Sequence, residues 1–128
     1  MPGKRKEKLL TTPNDLDPLI HERLRLGIVS VLAVQESMSF VELRSILQTT
    51  DGNLSVQTQK LESAGYVRCD KIFEGRKPKS IYRLSDNGRC ALEAYLETLA
   101  GLLPDLDRVK VSENRFSYTR ITPLPTRS

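Results

Sequence analysis

Between Gly52 and Ala64 the chain carries Asn53, Ser55, Val56, Gln59, Lys60 and Ser63, a set of short polar, apolar and basic side chains with no acid at its centre. If this stretch is helical, Leu54, Thr58 and Leu61 fall at i, i+4 and i+7 on one face. At about 100° per residue, Val56, Gln59 and Ser63 then point the opposite way, flanked by Ser55 and Lys60. Those side chains suit contact with a nucleic-acid duplex. A Gln carboxamide can meet adenine bidentately, a Val methyl can meet the thymine methyl, and Ser and Lys can hold phosphates. An ordinary amphipathic surface helix has the same pattern, so the helix alone does not separate the two readings.

The second group of interest is basic. Arg76, Lys77 and Lys79 lie in Glu74-Gly-Arg-Lys-Pro-Lys79, a turn by its Gly and Pro, between the strand-forming stretches Tyr66–Phe73 and Ser80–Leu84. From Tyr66 to Leu84, six basic residues stand against Asp70 and Glu74, leaving +4, equal to the formal charge of the whole chain. A charge run is commonly just a solvated face. On a projecting tip directly after a candidate recognition helix, it favours phosphate contact.

The preceding stretch supplies the partner element. Ser39-Phe-Val-Glu42 fits a capping box, and Phe40, Leu43 and Leu47, with Ile46 beside Leu43, trace one apolar stripe. Thr49-Thr-Asp-Gly52 breaks that pattern, and Asp51 is the expected N-cap of the second helix. Two short helices, a tight turn and a basic hairpin make a winged helix–turn–helix. The expected fold class is mainly α with a small β-hairpin wing (α+β).

Leu16-Asp-Pro-Leu-Ile-His21, Arg25-Leu26, Phe40-Val-Glu-Leu43, Thr50-Asp-Gly-Asn-Leu-Ser55, Lys60-Leu-Glu62, Ala64-Gly-Tyr-Val67, Gly75-Arg76, Pro78 and Tyr82-Arg-Leu84 carry a resemblance. Across roughly Leu16 to Leu99 the chain resembles the winged-helix transcriptional regulators of the MarR/ArsR-like superfamily, in the compact group with little beyond the DNA-binding core. The resemblance implies dimerisation through terminal helices. The chain departs from the pattern twice. Thr58 stands where Leu is usual, which implies a less firmly seated helix. Glu22-Arg23-Leu24 replaces a Pro-containing step, which leaves the start of the first helix open.

Around this core the expected organisation is a basic flexible arm over residues 1–15, the winged-helix domain over 16–103 and a flexible tail over 104–128. Met1–Lys8 has four basic residues and one acid; it reads as a solubilising terminus or as an arm following the DNA backbone or minor groove. Pro18 fits a first helical position, and Leu19, Ile20, Leu24, Ile28, Val31 and Leu32 form a stripe ending near Glu36, with Gly27 marking close packing. His21 reads as structural rather than as a ligand. Arg25 reads either as a phosphate contact or as a partner in an internal ion pair. Ser85–Gly101 reads as a helix capped by Ser85. Its apolar residues and those of the first helix exceed what so small a domain buries, which suggests a two-fold dimer through Leu19, Ile20, Leu92, Tyr95, Leu96, Leu99 and Leu103. In the tail, Val109/Val111 and Phe116/Tyr118 alternate around Ser112-Glu-Asn114 as a short hairpin would.

Two Cys residues without a His cluster argue against a disulfide framework or a zinc site. Cys69 reads as a small buried hydrophobe on the Val67 face of its strand. Cys90 sits early in the last helix. The lone His, with no Gly-rich phosphate loop and no metal-ligand spacing, offers no basis for catalysis. No apolar run spans a bilayer and no signal-peptide core follows Met1–Lys8. The expectation is therefore a cytoplasmic, non-enzymatic protein without cofactor or metal. It would bind double-stranded DNA as a homodimeric regulator, with any small-molecule effector unknown. The alternative is a winged-helix protein-interaction module with weak DNA affinity.

Overall fold

The computed structural model describes residues 11–103. A 3-10 turn (Pro13–Asp15) leads into α1 (Arg23–Val34), β1 (Met38–Ser39), α2 (Phe40–Leu47), α3 (Asp51–Ser63), β2 (Val67–Glu74), β3 (Lys77–Leu84) and α4 (Asp86–Leu102). The three strands form one antiparallel sheet in the order β1-β3-β2. The expected arm Met1–Lys8 and tail Pro104–Ser128, with its Val109/Val111 and Phe116/Tyr118 pairs, lie outside the described residues.

The first helix starts later than Pro18 suggests. The Asp17 carboxylate accepts from the Leu19 N–H at 2.9 Å, and its carbonyl accepts from the His21 N–H at 2.8 Å. These bonds close a separate turn that buries Ile20. Glu22, in extended backbone, then caps α1 by accepting from the Arg25 N–H at 2.8 Å. Within α1 the fully buried positions are Ile28, Val29 and Leu32; Leu24 and Val31 pack at its edge. A Cβ on Gly27 would lie 3.1 Å from Leu47 Cδ2, so α1 and α2 approach closely there.

β1 is only two residues long and has no sequence signal of its own. It pairs Met38 with Tyr82 and Ser39 with Ile81. Ser39 is also the N-cap of α2, with both bonds of the capping box formed: Glu42 N–H to Ser39 Oγ at 3.1 Å, and Ser39 N–H to Glu42 Oε1 at 2.8 Å. Strand end and helix start thus coincide in one buried serine. Leu43 is buried and Phe40 and Leu47 pack against the core, but Ile46 is exposed rather than part of the stripe. α2 ends in a left-handed Gln48, and the N-cap of α3 is Thr50, not Asp51. Thr50 Oγ1 accepts from the Asn53 N–H at 3.1 Å. Asp51 instead opens the helix and pairs with Arg44 at 2.6 Å.

The hairpin is tighter than the sequence suggests. Strand pairing continues to Glu74 opposite Lys77, leaving Gly75-Arg76 as a two-residue loop. Gly75 takes φ +70 while Arg76 stays negative, as a II′ turn requires. Pro78 lies within β3, opposite Phe73, one step from the pair that flanks the loop. Hydrogen-bonded and non-hydrogen-bonded pairs alternate in such a ladder, so the Pro nitrogen faces away from β2 at a point where β1 no longer runs alongside.

α4 is capped as expected: Ser85 Oγ accepts from the Gly88 N–H at 2.9 Å. The Ser85 N–H donates to the Tyr66 carbonyl at 3.0 Å, which pulls the start of α4 onto the start of the wing. A Cβ on Gly88 would sit 2.1 Å from that carbonyl oxygen, so this contact needs glycine. Gly88→Ala should lower stability by about 1–3 kcal/mol, the range for forcing volume into a packed site. This should hold although Ala is the better helix former. Urea unfolding checks it; an unchanged midpoint would mean that the helix start shifts freely.

Candidate nucleic-acid interface

The inner face of α3 is set by Leu54, Thr58 and Leu61, all buried. The Thr58 hydroxyl donates to the Ser55 carbonyl at 3.1 Å and so is satisfied within the helix. The Tyr82 hydroxyl lies beside Thr58 and Cys69 beneath α3. A threonine there seats the helix through a polar contact where leucine would seat it by packing alone.

With that face fixed, the outer face carries Asn53, Val56, Gln59, Lys60 and Ser63, all exposed, with Ser55 half-buried. Val56 keeps 49% of its surface in solvent, so its methyls are available for an apolar contact. Gln59 Nε2 donates to Ser55 Oγ at 3.2 Å, which restrains the carboxamide while leaving its oxygen open. Asn53 Nδ2 donates to Thr49 Oγ1 at 3.3 Å. Two depressions flank this face. One, of about 600 Å³, is bordered by Leu19, Val56, Gln59, Lys60 and Ser63. The other, of about 420 Å³, lies between α3 and the wing, with Ser55, Gln59 and Glu62 on one wall and Lys71 and Ser80 on the other.

Strand register sorts the wing into two faces. Val67, Cys69, Lys71 and Phe73 lie opposite Leu84, Tyr82, Ser80 and Pro78, and this face begins in the core and continues along the hollow beside α3. The other face carries Arg68, Asp70, Ile72 and Glu74 opposite Arg83, Ile81, Lys79 and Lys77. Its ion pairs agree with that assignment: Lys79–Glu74 at 3.3 Å and Arg83–Asp70 at 3.8 Å. Of the three basic residues expected at the tip, only Arg76 is in the loop itself. Lys77 begins β3, and Lys79 is paired with Glu74 on the face turned from α3. Lys71, absent from the expected site, is the wing cation that borders the hollow. Its signal in the sequence is its alternation with Val67 and Cys69.

Of the two roles expected of Arg25, the internal ion pair is present, to Glu22, and two closer hydrogen bonds accompany it. Its side chain is 12% exposed. Nε donates to the Leu19 carbonyl at 2.6 Å, Nη1 donates to Gln57 Oε1 at 2.5 Å, and Glu22 is 3.9 Å away. Arg25 therefore ties the leader turn and α1 to the flank of α3. His21 Nδ1 lies 2.9 Å from the Tyr95 hydroxyl and is structural in that contact. Tyr66 donates to Asp17 at 2.7 Å, joining the end of the helix–turn–helix to the leader.

The apolar surface expected at a dimer contact is narrower than the sequence suggests. Ile20, Leu92 and Tyr95 belong to the chain's own core and present almost no surface to a partner. Leu96 and Leu103 remain exposed, at 51% and 58%, and Leu19 and Leu99 are half-buried. Cys69 is half-buried rather than sealed, and Cys90 is exposed. Among the described residues no group of three His, Cys, Asp or Glu side chains converges as a metal site, and no helix is long and apolar enough to cross a membrane.

A three-helix core, a helix–turn–helix and a two-stranded wing define a winged helix. The sequence pattern of the winged helix DNA-binding domain family matches residues 24–103, and the chain belongs to that family. An uncharacterized protein of Methanocaldococcus jannaschii, MJ0432, is 30% identical over 84 residues, covering 66% of this chain and 91% of its own length. A transcriptional regulator homologue from Pyrococcus horikoshii OT3 superposes with TM-score 0.64 at 24% identity, covering 78% of this chain and 93% of that one. The transcriptional repressor CouR, bound to a 23-mer DNA duplex, superposes with TM-score 0.65 at 16% identity over 94% of this chain and 84% of its own. AbsC, a MarR family transcriptional regulator from Streptomyces coelicolor, does so with TM-score 0.58 at 19% identity over 93% and 88%. The fold is thus the one found in MarR-family regulators.

The Tyr66–Asp17 bond has a consequence in alkali. That bond first, and burial second, push the Tyr66 phenol from 10.0 up to about 12. Burial chiefly does the same for Tyr82, also to about 12. A phenol whose folded pKa is raised contributes stability below pH 10, lost as pH climbs towards about 12. Ultraviolet titration should show a tyrosinate step near pH 12 that shrinks in Tyr66→Phe, and stability should fall less steeply over pH 10 to 12 in that variant.

Proposed function

We propose that this winged-helix protein is a sequence-specific DNA-binding transcriptional regulator acting as a homodimer. α3 enters the major groove, and the wing meets the phosphate backbone or the neighbouring minor groove. The observation that carries this reading is the outer face of α3. Val56, Gln59, Lys60 and Ser63 are exposed with no acid among them, on a helix whose opposite face is fixed in the core. The Lys71-lined hollow and the Arg76 tip add cations on the same side of the wing and at its end. That CouR has this fold and is bound to a DNA duplex supports the same reading. In the proposed contact, Gln59 and Val56 meet base edges, while Ser55, Lys60, Ser63, Arg76 and Lys77 meet phosphates. Asn53 stands at the helix start beside the backbone. Lys79 contributes to binding once its pair with Glu74 opens.

The test is a set of binding profiles on duplexes selected from genomic DNA, measured over a salt series. Gln59→Ala should relax preference at one base pair per half-site by about 1–3 kcal/mol, leaving the salt slope nearly intact. Arg76→Ala with Lys77→Ala should weaken all duplexes alike and reduce the magnitude of the slope by about 0.9 per lost phosphate contact. Salt-independent binding, or none, would exclude this function in favour of a protein-interaction module.

The homodimer is proposed to form around Leu96, Leu99 and Leu103 of α4 and its end, with Leu19 at the edge. Sedimentation equilibrium at micromolar concentration should give about twice the chain mass. A strict monomer, free and with duplex present, would rule the dimer out.

A further inference from the structure

Phe73 is the most exposed aromatic side chain among the described residues, at 71% of its surface. It sits one residue before the pair that closes the wing loop and lies opposite Pro78, also exposed. Cross-strand partners share a face, so the two rings form one apolar patch at the wing tip. The register then places that patch. The same face carries Val67 and Tyr82 in the core, then Lys71 and Ser80 along the hollow beside α3, then Phe73 and Pro78 beyond it. The wing therefore points its apolar tip to the side on which α3 presents Gln59.

The surrounding charge indicates what covers the patch. Lys71 is two residues back on the same face, and Arg76 is in the adjoining loop, neither with an ion pair among the described residues. Glu74, the acid next to Phe73 in the chain, is on the opposite face and is taken up by Lys79 at 3.3 Å. Glu62 borders the hollow across from Lys71 without an ion pair to it, and belongs to α3 rather than to the wing tip. An apolar patch rimmed by unpaired cations matches a polyanion with apolar walls. A duplex minor groove is such a surface, with deoxyribose faces between two rows of phosphates.

We propose that Phe73, backed by Pro78, is an apolar wedge that packs into the minor groove next to the major groove occupied by α3. The wedge rests on the regulator reading above and adds to it a contact that is neither a phosphate bond nor a base-edge hydrogen bond. Apolar side chains in this role press on sugars or between base steps, and so favour sequences whose steps unstack readily. Phe73 thereby contributes to affinity and to the choice of flanking sequence without affecting the salt slope.

The experiment uses the full chain and a fluorescent mixed-sequence duplex. Phe73→Ala should bind about tenfold more weakly at every salt concentration, the scale of losing one aromatic contact. The salt slope should be unchanged, since no phosphate contact is lost. Phe73→Leu, which keeps apolar bulk, should recover most of the affinity and guards against a folding artefact; thermal melts of both variants should match the parent. On a duplex whose minor groove is already filled by a polyamide, the parent and Phe73→Ala should bind equally. Equal affinity of parent and Phe73→Ala on the open duplex would overturn the wedge and leave the regulator reading standing. No duplex binding by the parent would overturn both. A Phe73→Ala chain that falls from dimer to monomer would overturn the wedge by assigning the patch to self-association.

Discussion

The seating of α3 is the constraint on which the rest of the interface depends. Leu54, Thr58 and Leu61 are buried against the core, and a helix held on one face has no freedom to rotate. Val56, Gln59 and Ser63 are outward because those three are inward. A rotation of one residue would bury Gln59 or Lys60 without a partner and expose a leucine, two penalties in the same direction. The buried threonine adds a polar contact across the packing surface, because its hydroxyl lies beside that of Tyr82, while its bond to the Ser55 carbonyl keeps it satisfied within the helix.

Polar contacts at both ends of α3 convert that seating into a fixed position. Thr50 caps the start, Arg44 pairs with Asp51 across the turn, and Arg25 reaches Gln57 from α1. At the far end, Tyr66 bonds Asp17 in the leader, and its carbonyl receives the start of α4. The exposed Arg44–Asp51 pair contributes little to stability by itself. The half-buried bonds of Arg25 matter more: losing them would leave a largely desolvated guanidinium without its acceptors. Leader, α1, α3 and α4 are thereby connected through side chains far apart in sequence.

The wing obeys a different rule. Its base is held by the core through Val67 and Tyr82, and by β1 through Met38 and Ser39. Its outer half has only its own two strands. There the II′ loop at Gly75-Arg76 fixes the register, and the register decides which cations share a side with α3. Lys71 and Lys79 are both wing lysines, but one borders the hollow and the other is paired with Glu74 on the reverse face. Alternation along a strand, rather than closeness to the tip, separates them.

Much of this was legible in the sequence, and for local reasons. The Ser39–Glu42 capping box, the Ser85 cap and the i, i+4, i+7 burial of Leu54, Thr58 and Leu61 all act within a few residues, so their spacing carries their meaning. The helix–turn–helix and the hairpin follow from those signals. What tertiary structure decided is what depends on distant partners. β1 exists because β3 passes beside Met38 and Ser39. Helix α1 begins at Arg23 because Asp17 is engaged in a turn and in a bond to Tyr66, 49 residues away. Arg25 is turned from solvent because Gln57 and the Leu19 carbonyl lie within its reach. Ile20, Leu92 and Tyr95 read as surplus apolar surface in the sequence, yet one chain buries them itself once the leader turn folds over α4. Periodicity names the face a helix buries; only the packed chain determines which neighbour covers it.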